Sequence, residues 1–470
     1  MRPRLARLFS LLIVGAALIS CSTEIKTDPR LERSFRRPAV NGWTLVHLEG
    51  TPAEIGFQHG YLLAPEITEI QKIIALELEH DYGKKWEFFR AEAQAMMWPH
   101  VEPRYQQELQ GITEGVRVGG LTLDLWDIVA LNAALEWPYY LDTLLPKESK
   151  TGSSTGARIP DHCSAFVATG SYTADGRAVI AHNVWSPYLD GERWTIVFDI
   201  VPEEGFRILM DGLPGFISSA DDFGLNAAGL MITETTIDGF QGFDPEGIPE
   251  FVRARKTMQF ASSIDDFARI MTEGNNGGYA NDWLVADRKT DEIARLELGL
   301  KNVALERTRD GYYVGANFPV DPKLIREETT FDVDDAGSSP NARRLRWEEL
   351  MAEHKGKIDI ALAQRFLADH YDTFQKKDEP NERTLCGHIE LSPRGWPPDW
   401  APYGPYGAGQ NKVADSTSAE RMSFWAAAGH ACGIDFKAGR YLKAHPEFDW
   451  QKDFLRDMPS RPWTLVGIEK

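Results

Sequence analysis

At 470 residues, 43% hydrophobic and 26% charged, the chain can bury a sizeable core in one large domain or two. A net charge of −19 argues against a nucleic-acid partner, because phosphate binding needs a basic surface. The same charge gives no electrostatic attraction to an anionic bilayer.

The first segment reads as targeting sequence. Arg2, Arg4 and Arg7 precede an apolar run from Leu8 to Ile19 that is shorter than a membrane span. The run ends Leu18-Ile19-Ser20-Cys21, an apolar position, two tolerant positions and a cysteine, which resembles a bacterial lipobox. Residues 1–21 are therefore expected to be a lipoprotein-type signal, with Cys21 lipidated and 22–42 a tether. A secretory signal cut nearby is the plain alternative. The expectation is an exported chain on the bacterial cell envelope, touching the membrane through its lipid anchor.

From Trp43 to about Leu145 the pattern is helical. Ile67, Ile70, Ile74 and Leu78 build one apolar face, and Leu125, Ile128, Leu131 and Leu135 another. Lys147 to Pro160 is polar and rich in Gly, Ser and Thr, an exposed loop. The period then changes to two. Trp194, Ile196, Phe198 and Ile200 alternate with polar neighbours, and strands are expected at Arg207–Met210, Phe216–Ser219, Leu230–Thr235, Trp283–Ala286 and Ile293–Leu298. Helices return at Phe251–Phe260, Ile264–Met271, after Ser339-Pro340, and at Ile360–His370. Asn381 to about Ser416, rich in Pro and Gly, reads mostly as loop. Strands first, then strands and helices mixed, fit antiparallel sheets covered by helices, an α+β chain.

Cys163 is the chemistry-bearing residue that stands out. It lies in Asp161-His162-Cys163-Ser164-Ala165-Phe166, at the head of a hairpin that turns at Ala174-Asp175-Gly176 and returns through His182. A thiol just past a cleavable-looking loop suggests a nucleophile exposed by cutting the chain between His162 and Cys163, with the new α-amine as its base. His182 reaches the sulfur if the two strands pair; the ordinary alternative is a strand histidine with a satisfied hydrogen bond. Three polar clusters follow, at Asp221-Asp222, at Thr233-Glu234-Thr235-Thr236 and at Asn275 to Asp282. Each could be turn chemistry, and an amide at a strand start could also donate to an oxyanion. In an oxidising compartment Cys386 and Cys432 are the natural disulfide pair, leaving Cys163 free; three buried thiols are the alternative. No metal site and no cofactor are expected, since the histidines lack paired spacing and no two cysteines sit close in sequence.

Four segments occur in order after the Cys-Ser pair: His182-Asn-Val-Trp185, Leu213 to Phe223, Gly229 to Thr236 and Asn276 to Trp283. Together they resemble the phospholipase B-like family of N-terminal-nucleophile hydrolases, most densely from Cys163 to about Leu300 and weakly through Asn341-Ala-Arg-Arg344 to Pro459–Trp463. The helical half, clearest at Thr51 to Gly60, resembles the precursor region of that family and of the related penicillin-type acyltransferases. The resemblance implies a four-layer αββα sandwich, with 43–162 as helical precursor region and 163–470 as hydrolase core. It implies that Cys163 is nucleophile, that His182 orients the thiol, that Asn281 donates to the oxyanion, and that Thr235 or Thr236, Trp185 and Asp222 line the site. Around Arg394 to Gly409 the chain departs from the family pattern. The substrate class is an acyl ester or N-acyl amide. An acyltransferase of the same superfamily and a non-catalytic acyl-binding lipoprotein are the competing readings.

Overall fold

The structure is a computed structural model that describes residues 28–144, 162–220, 223–392 and 404–467. The lipobox with Cys21, the expected cut loop and Asp222 lie outside the described residues, as does the side chain of His162. In chain order come β1 (Phe35–Arg36), β2 (Thr44–Gly50), α1 (Pro52–Leu62), α2 (Ala64–Tyr82), α3 (Trp86–Glu92), α4 (Pro103–Val118), α5 (Leu125–Asn132) and α6 (Trp137–Leu144). Next are β3 (His162–Thr169), β4 (Val179–Pro187), α7 (Tyr188–Gly191), β5 (Ile196–Pro202), β6 (Ile208–Gly212), β7 (Gly224–Asn226) and β8 (Leu230–Thr236). The middle holds α8 (Glu250–Phe260), α9 (Ile264–Thr272), β9 (Asn281–Asp287), β10 (Glu292–Leu298), β11 (Val303–Thr308), β12 (Gly311–Gly315), α10 (Pro322–Glu328), α11 (Ser339–Glu353) and α12 (Ile360–Phe366). The chain closes with β13 (Tyr371–Asp372), β14 (Lys377–Asp378), β15 (Tyr406–Asp415), α13 (Ser416–Glu420), β16 (Ser423–Ala428), α14 (Ala438–Ala444) and β17 (Thr464–Gly467).

Among the described residues these strands form a nine-stranded sheet in the order β1-β2-β5-β6-β7-β8-β9-β10-β11, a six-stranded sheet in the order β12-β3-β4-β15-β16-β17, and a separate two-stranded β13-β14 ribbon. The two sheets face each other. Ala165, Val167 and Ile180 of one pack against Val197, Leu225 and Met231 of the other. Strand alternation sends the opposite faces outward. Phe198, Ile232 and Val285 of the larger sheet meet Ile67, Ile112 and Leu131 of the helical half. Phe166 and Val413 of the smaller sheet meet Trp347, Met351 and Phe366 of α11 and α12. The layers are therefore αββα, as expected. The helical half is one of those layers and not a detached unit, since its β2 joins the larger sheet alongside β5 in parallel.

Two helices of that half touch backbone to backbone. A Cβ on Gly56 of α1 would lie 1.9 Å from the Glu108 carbonyl oxygen of α4, and one on Gly115 of α4 would lie 2.2 Å from the Phe57 carbonyl oxygen. Neither neighbour is a side chain that can swing away, so the helices would have to separate. Gly56→Ala and Gly115→Ala should each destabilise the fold by about 1–3 kcal/mol or more. Urea unfolding checks this, and an unchanged midpoint would contradict the close packing.

Three expectations are corrected. Phe216–Ser219 is not a strand, because Pro214 and Gly215 (φ 89°) turn the chain and side chains take its backbone hydrogen bonds. The Gly215 N–H donates to His59 Nε2 at 2.9 Å, the Gly215 carbonyl accepts from Asn132 Nδ2 at 2.9 Å, and Ile217 N–H donates to Asn132 Oδ1 at 2.8 Å. Burial holds the His59 imidazole down to about 3, neutral and able to accept. Helix α12 ends at Phe366 rather than His370, with Ala368 and Asp369 turning back onto Arg365 and Phe366. Tyr406–Asp415 is not loop but β15, a central strand between β4 and β16. Its glycines serve close approach: a Cβ on Gly407 would come within 2.5 Å of both the Gly387 carbonyl oxygen and the Tyr188 hydroxyl.

Candidate active site

The site begins with the register of the β3–β4 hairpin. Cys163 pairs with Val184 and Ala165 with His182, so antiparallel pleating puts Cys163 and His182 on one face as diagonal neighbours. That face looks into the space between the sheets. There Cys163 Sγ, a ring nitrogen of His182 and a carboxylate oxygen of Glu234 lie within 4.8 Å of one another, all three residues fully buried. Glu234 comes from β8 of the opposite sheet and accepts from the Tyr279 hydroxyl at 3.1 Å. His182 lies parallel to Phe223 at 6.5 Å, and beside Phe223 the fully buried Lys412 ammonium pairs with Asp211 at 2.7 Å. The two sheets thus meet at a polar strip as well as an apolar one.

The backbone of Cys163 is held independently of its thiol. Its N–H donates to Asn317 Oδ1 at 2.9 Å, and its carbonyl accepts from Arg343 Nη1 at 2.5 Å. Arg343 also donates to Asn317 Oδ1 at 3.0 Å and to the Ser339 hydroxyl at 3.0 Å, while Asn317 Nδ2 donates to the Thr236 carbonyl at 2.8 Å. One network therefore joins the start of β3, the end of β8 and the first turn of α11. Burial pulls the Arg343 guanidinium down to about 9, with the Cys163 thiol, Asp238 and Tyr406 acting the other way. At neutral pH it remains a cation next to the thiol. Sequence reading missed Asn317 and the parts played by Glu234 and Arg343. The visible signals were the buried-looking Glu within Thr233–Thr236 and the Asn341-Ala-Arg-Arg344 segment.

Thr236 of β8 pairs in register with Asn281 of β9, so the two share a face, while Thr235 points the other way, against Gly315 of β12. Asn281 is fully buried, and among the described residues neither its amide nitrogen nor its amide oxygen has a hydrogen-bond partner; the hydroxyls of Thr233, Thr235 and Thr236 are likewise buried and unpartnered there. Buried polar groups are nearly always paired in proteins, so these atoms are exceptions to the rule. Strand β3 crosses directly over β8 and β9.

Trp185 is placed differently from expectation. It pairs with His162, one position out of phase with Cys163, and lies on the outer face of the sheet against Cys386, Ile389 and Tyr406. The Arg343 guanidinium, which also holds the Cys163 carbonyl, sits 4.4 Å above its ring. The expected Cys386–Cys432 disulfide is not formed: both are free thiols, gathered with His370 and His388. The fold brings these four residues together although sequence spacing keeps them apart. A cleft of about 240 Å³ between α1, α4 and α8, lined by Tyr105, Glu108, Arg255 and Gln259, holds none of the chemistry-bearing residues above.

The layered α+β sandwich, with a buried thiol at the head of a strand, is the arrangement that the resemblance to N-terminal-nucleophile hydrolases implied. The Phospholipase B family profile matches residues 77–300. An uncharacterized protein of Archaeoglobus fulgidus is 25% identical over 57% of this chain and 45% of its own length. Phospholipase B-like 1 of Homo sapiens is 23% identical over 80% of this chain and 74% of its own. Over residues 77–300 the chain resembles the phospholipase B family. It spans about half the length of the first curated relatives it matches, at 45% and 48%. Among solved structures, a conjugated bile acid hydrolase variant from Clostridium perfringens overlays at TM-score 0.34 and 12% identity, covering 56% of this chain and 88% of its own.

Proposed function

We propose that the chain is a self-processing cysteine hydrolase that cleaves an acyl ester or amide bond. The observation that carries this reading is the buried group of Cys163, His182 and Glu234, linked through Asn317 to the strand end where Thr236 pairs with Asn281. In processing, Cys163 Sγ attacks the carbonyl carbon of His162. The peptide C–N bond breaks, a thioester forms and the α-amine of Cys163 is released. Water then hydrolyses the thioester, leaving a C-terminal carboxylate on His162 and a free thiol and amine on Cys163.

In turnover the amine takes the thiol proton and the thiolate attacks the acyl carbonyl. Asn281 Nδ2 and a backbone N–H hold the oxyanion. The protonated amine gives its proton to the departing alcohol or amine, and water releases the acid. Asn317 Oδ1, which accepts from the Cys163 N–H, supports this reading because the same oxygen would hold the freed amine. His182 and Glu234 orient the thiol, and Arg343 fixes the carbonyl behind it. The cut also supports substrate entry: the described residues bury Cys163 completely, and releasing its chain neighbour gives that end of β3 freedom to open.

A panel of acyl esters and N-acyl amides of varied chain length, assayed on the purified protein, tests this. Hydrolysis of one class, abolished by iodoacetamide, is expected. A fully cut protein inert toward the whole panel would leave the hydrolase reading without support.

A further inference from the structure

The second cluster of thiols and imidazoles lies outside the site just described. Its residues come from distant parts of the chain: His370 between α12 and β13, Cys386 and His388 on the segment that follows, and Cys432 in the turn after β16. One ligand atom of each lies within 4.8 Å of every other, with Cys386 and His388 fully buried and His370 and Cys432 half-buried. His388 Nε2 stands 3.7 Å from Cys386 Sγ and 3.4 Å from Cys432 Sγ. A tetrahedral zinc with its usual bond lengths separates a sulfur ligand from a nitrogen ligand by about 3.6 Å.

The surroundings are those of a metal centre. His388 Nδ1 faces Glu390 Oε1 at 3.0 Å, a carboxylate that fixes the ring so that Nε2 points into the cluster. Glu390 is in turn held by the Tyr188 hydroxyl at 2.7 Å. The Ile434 N–H donates to Cys432 Sγ at 3.5 Å, the kind of bond that steadies a thiolate. His370 Nε2 is buried, and the His370 side chain hydrogen-bonds Cys432. The loops are pre-set by backbone bonds, Cys386 N–H to the Asp369 carbonyl at 3.0 Å and His388 N–H to the Asn381 carbonyl at 3.2 Å.

We propose that His370, Cys386, His388 and Cys432 form a tetrahedral Cys2His2 zinc site. Two thiolates and two imidazoles are the donor set zinc takes, and four protein ligands leave no open position, so the site is structural rather than catalytic. It pins the segment 379–391 against the outer face of β4. A Cβ on Gly387 would come within 2.2 Å of the Trp185 ring, and Asn183 Nδ2 donates to the Leu385 carbonyl at 2.8 Å. Zinc would thus brace the strand whose other face carries His182. The proposal does not depend on the hydrolase reading.

Elemental mass spectrometry of the full chain, purified without chelator, tests it. One zinc per chain is expected, falling at least tenfold in Cys432→Ser and unchanged in Cys163→Ala, which also separates this site from the Cys163–His182–Glu234 group. Should Cys432→Ser fail to fold, a methanethiosulfonate reagent applied to the unmutated protein should release one zinc to a chromophoric chelator. Protein produced with Co2+ as its only added transition metal should show tetrahedral d–d bands with thiolate charge transfer. Metal-free protein with Cys386 linked to Cys432 in a non-reducing peptide map would overturn the proposal. So would zinc retained in a folded Cys432→Ser, or stoichiometric loading by a different metal.

Discussion

Cys163→Ala should leave the chain in one piece and without hydrolytic activity. The contacts that position residue 163 come from its main chain, its N–H on Asn317 and its carbonyl on Arg343, and an alanine keeps both. What is lost is one sulfur atom among buried neighbours, a cavity cost on the order of 1–2 kcal/mol that a large domain tolerates. Among the described residues the chemistry has no second thiol to use. Cys386 and Cys432 belong to the cluster on the opposite face of the sheet, against Trp185. Thermal melting should therefore move little, while denaturing electrophoresis shows a single uncut band and turnover falls to background. Full hydrolysis by this variant would remove the thiol from the mechanism.

Asn281→Ala should slow turnover by about 100- to 1,000-fold, the usual effect of removing one oxyanion donor. The structure makes this prediction sharper than a loss of rate alone. Both amide atoms of Asn281 are buried and unpartnered among the described residues, so the side chain contributes desolvation cost and no internal hydrogen bond. Stability should accordingly hold or rise while kcat falls, and KM should change little because the bond strengthens only as the oxyanion forms. A variant that melts early with normal kcat would make Asn281 a structural residue.

Much of this was legible in the sequence, for identifiable reasons. The β3–β4 hairpin announced itself through an apolar run, an Asp-Gly turn and a returning run, and its register then placed His182 beside Cys163. Helices α2, α5, α8 and α9 followed from their apolar spacing. Strand β15 did not, because it is buried on both faces and rich in glycine, so it shows neither alternation nor strand-forming composition. Trp185 shared a motif with His182 yet faces the other way, since three positions along a strand reverse the side. Asn317 and Arg343 reach Cys163 from 154 and 180 residues away, a juxtaposition no local pattern encodes. The Cys2His2 cluster was hidden for the same reason. A spacing rule looks for ligands paired along the chain, and here Cys386-Gly387-His388 was the one local hint.

The mature N-terminus of catalytically active material is the decisive observation. Intact mass together with N-terminal sequencing should find a C-terminal fragment that begins at Cys163 and accounts for all of the activity. An unbroken His162–Cys163 bond in fully active protein would contradict the account at its root.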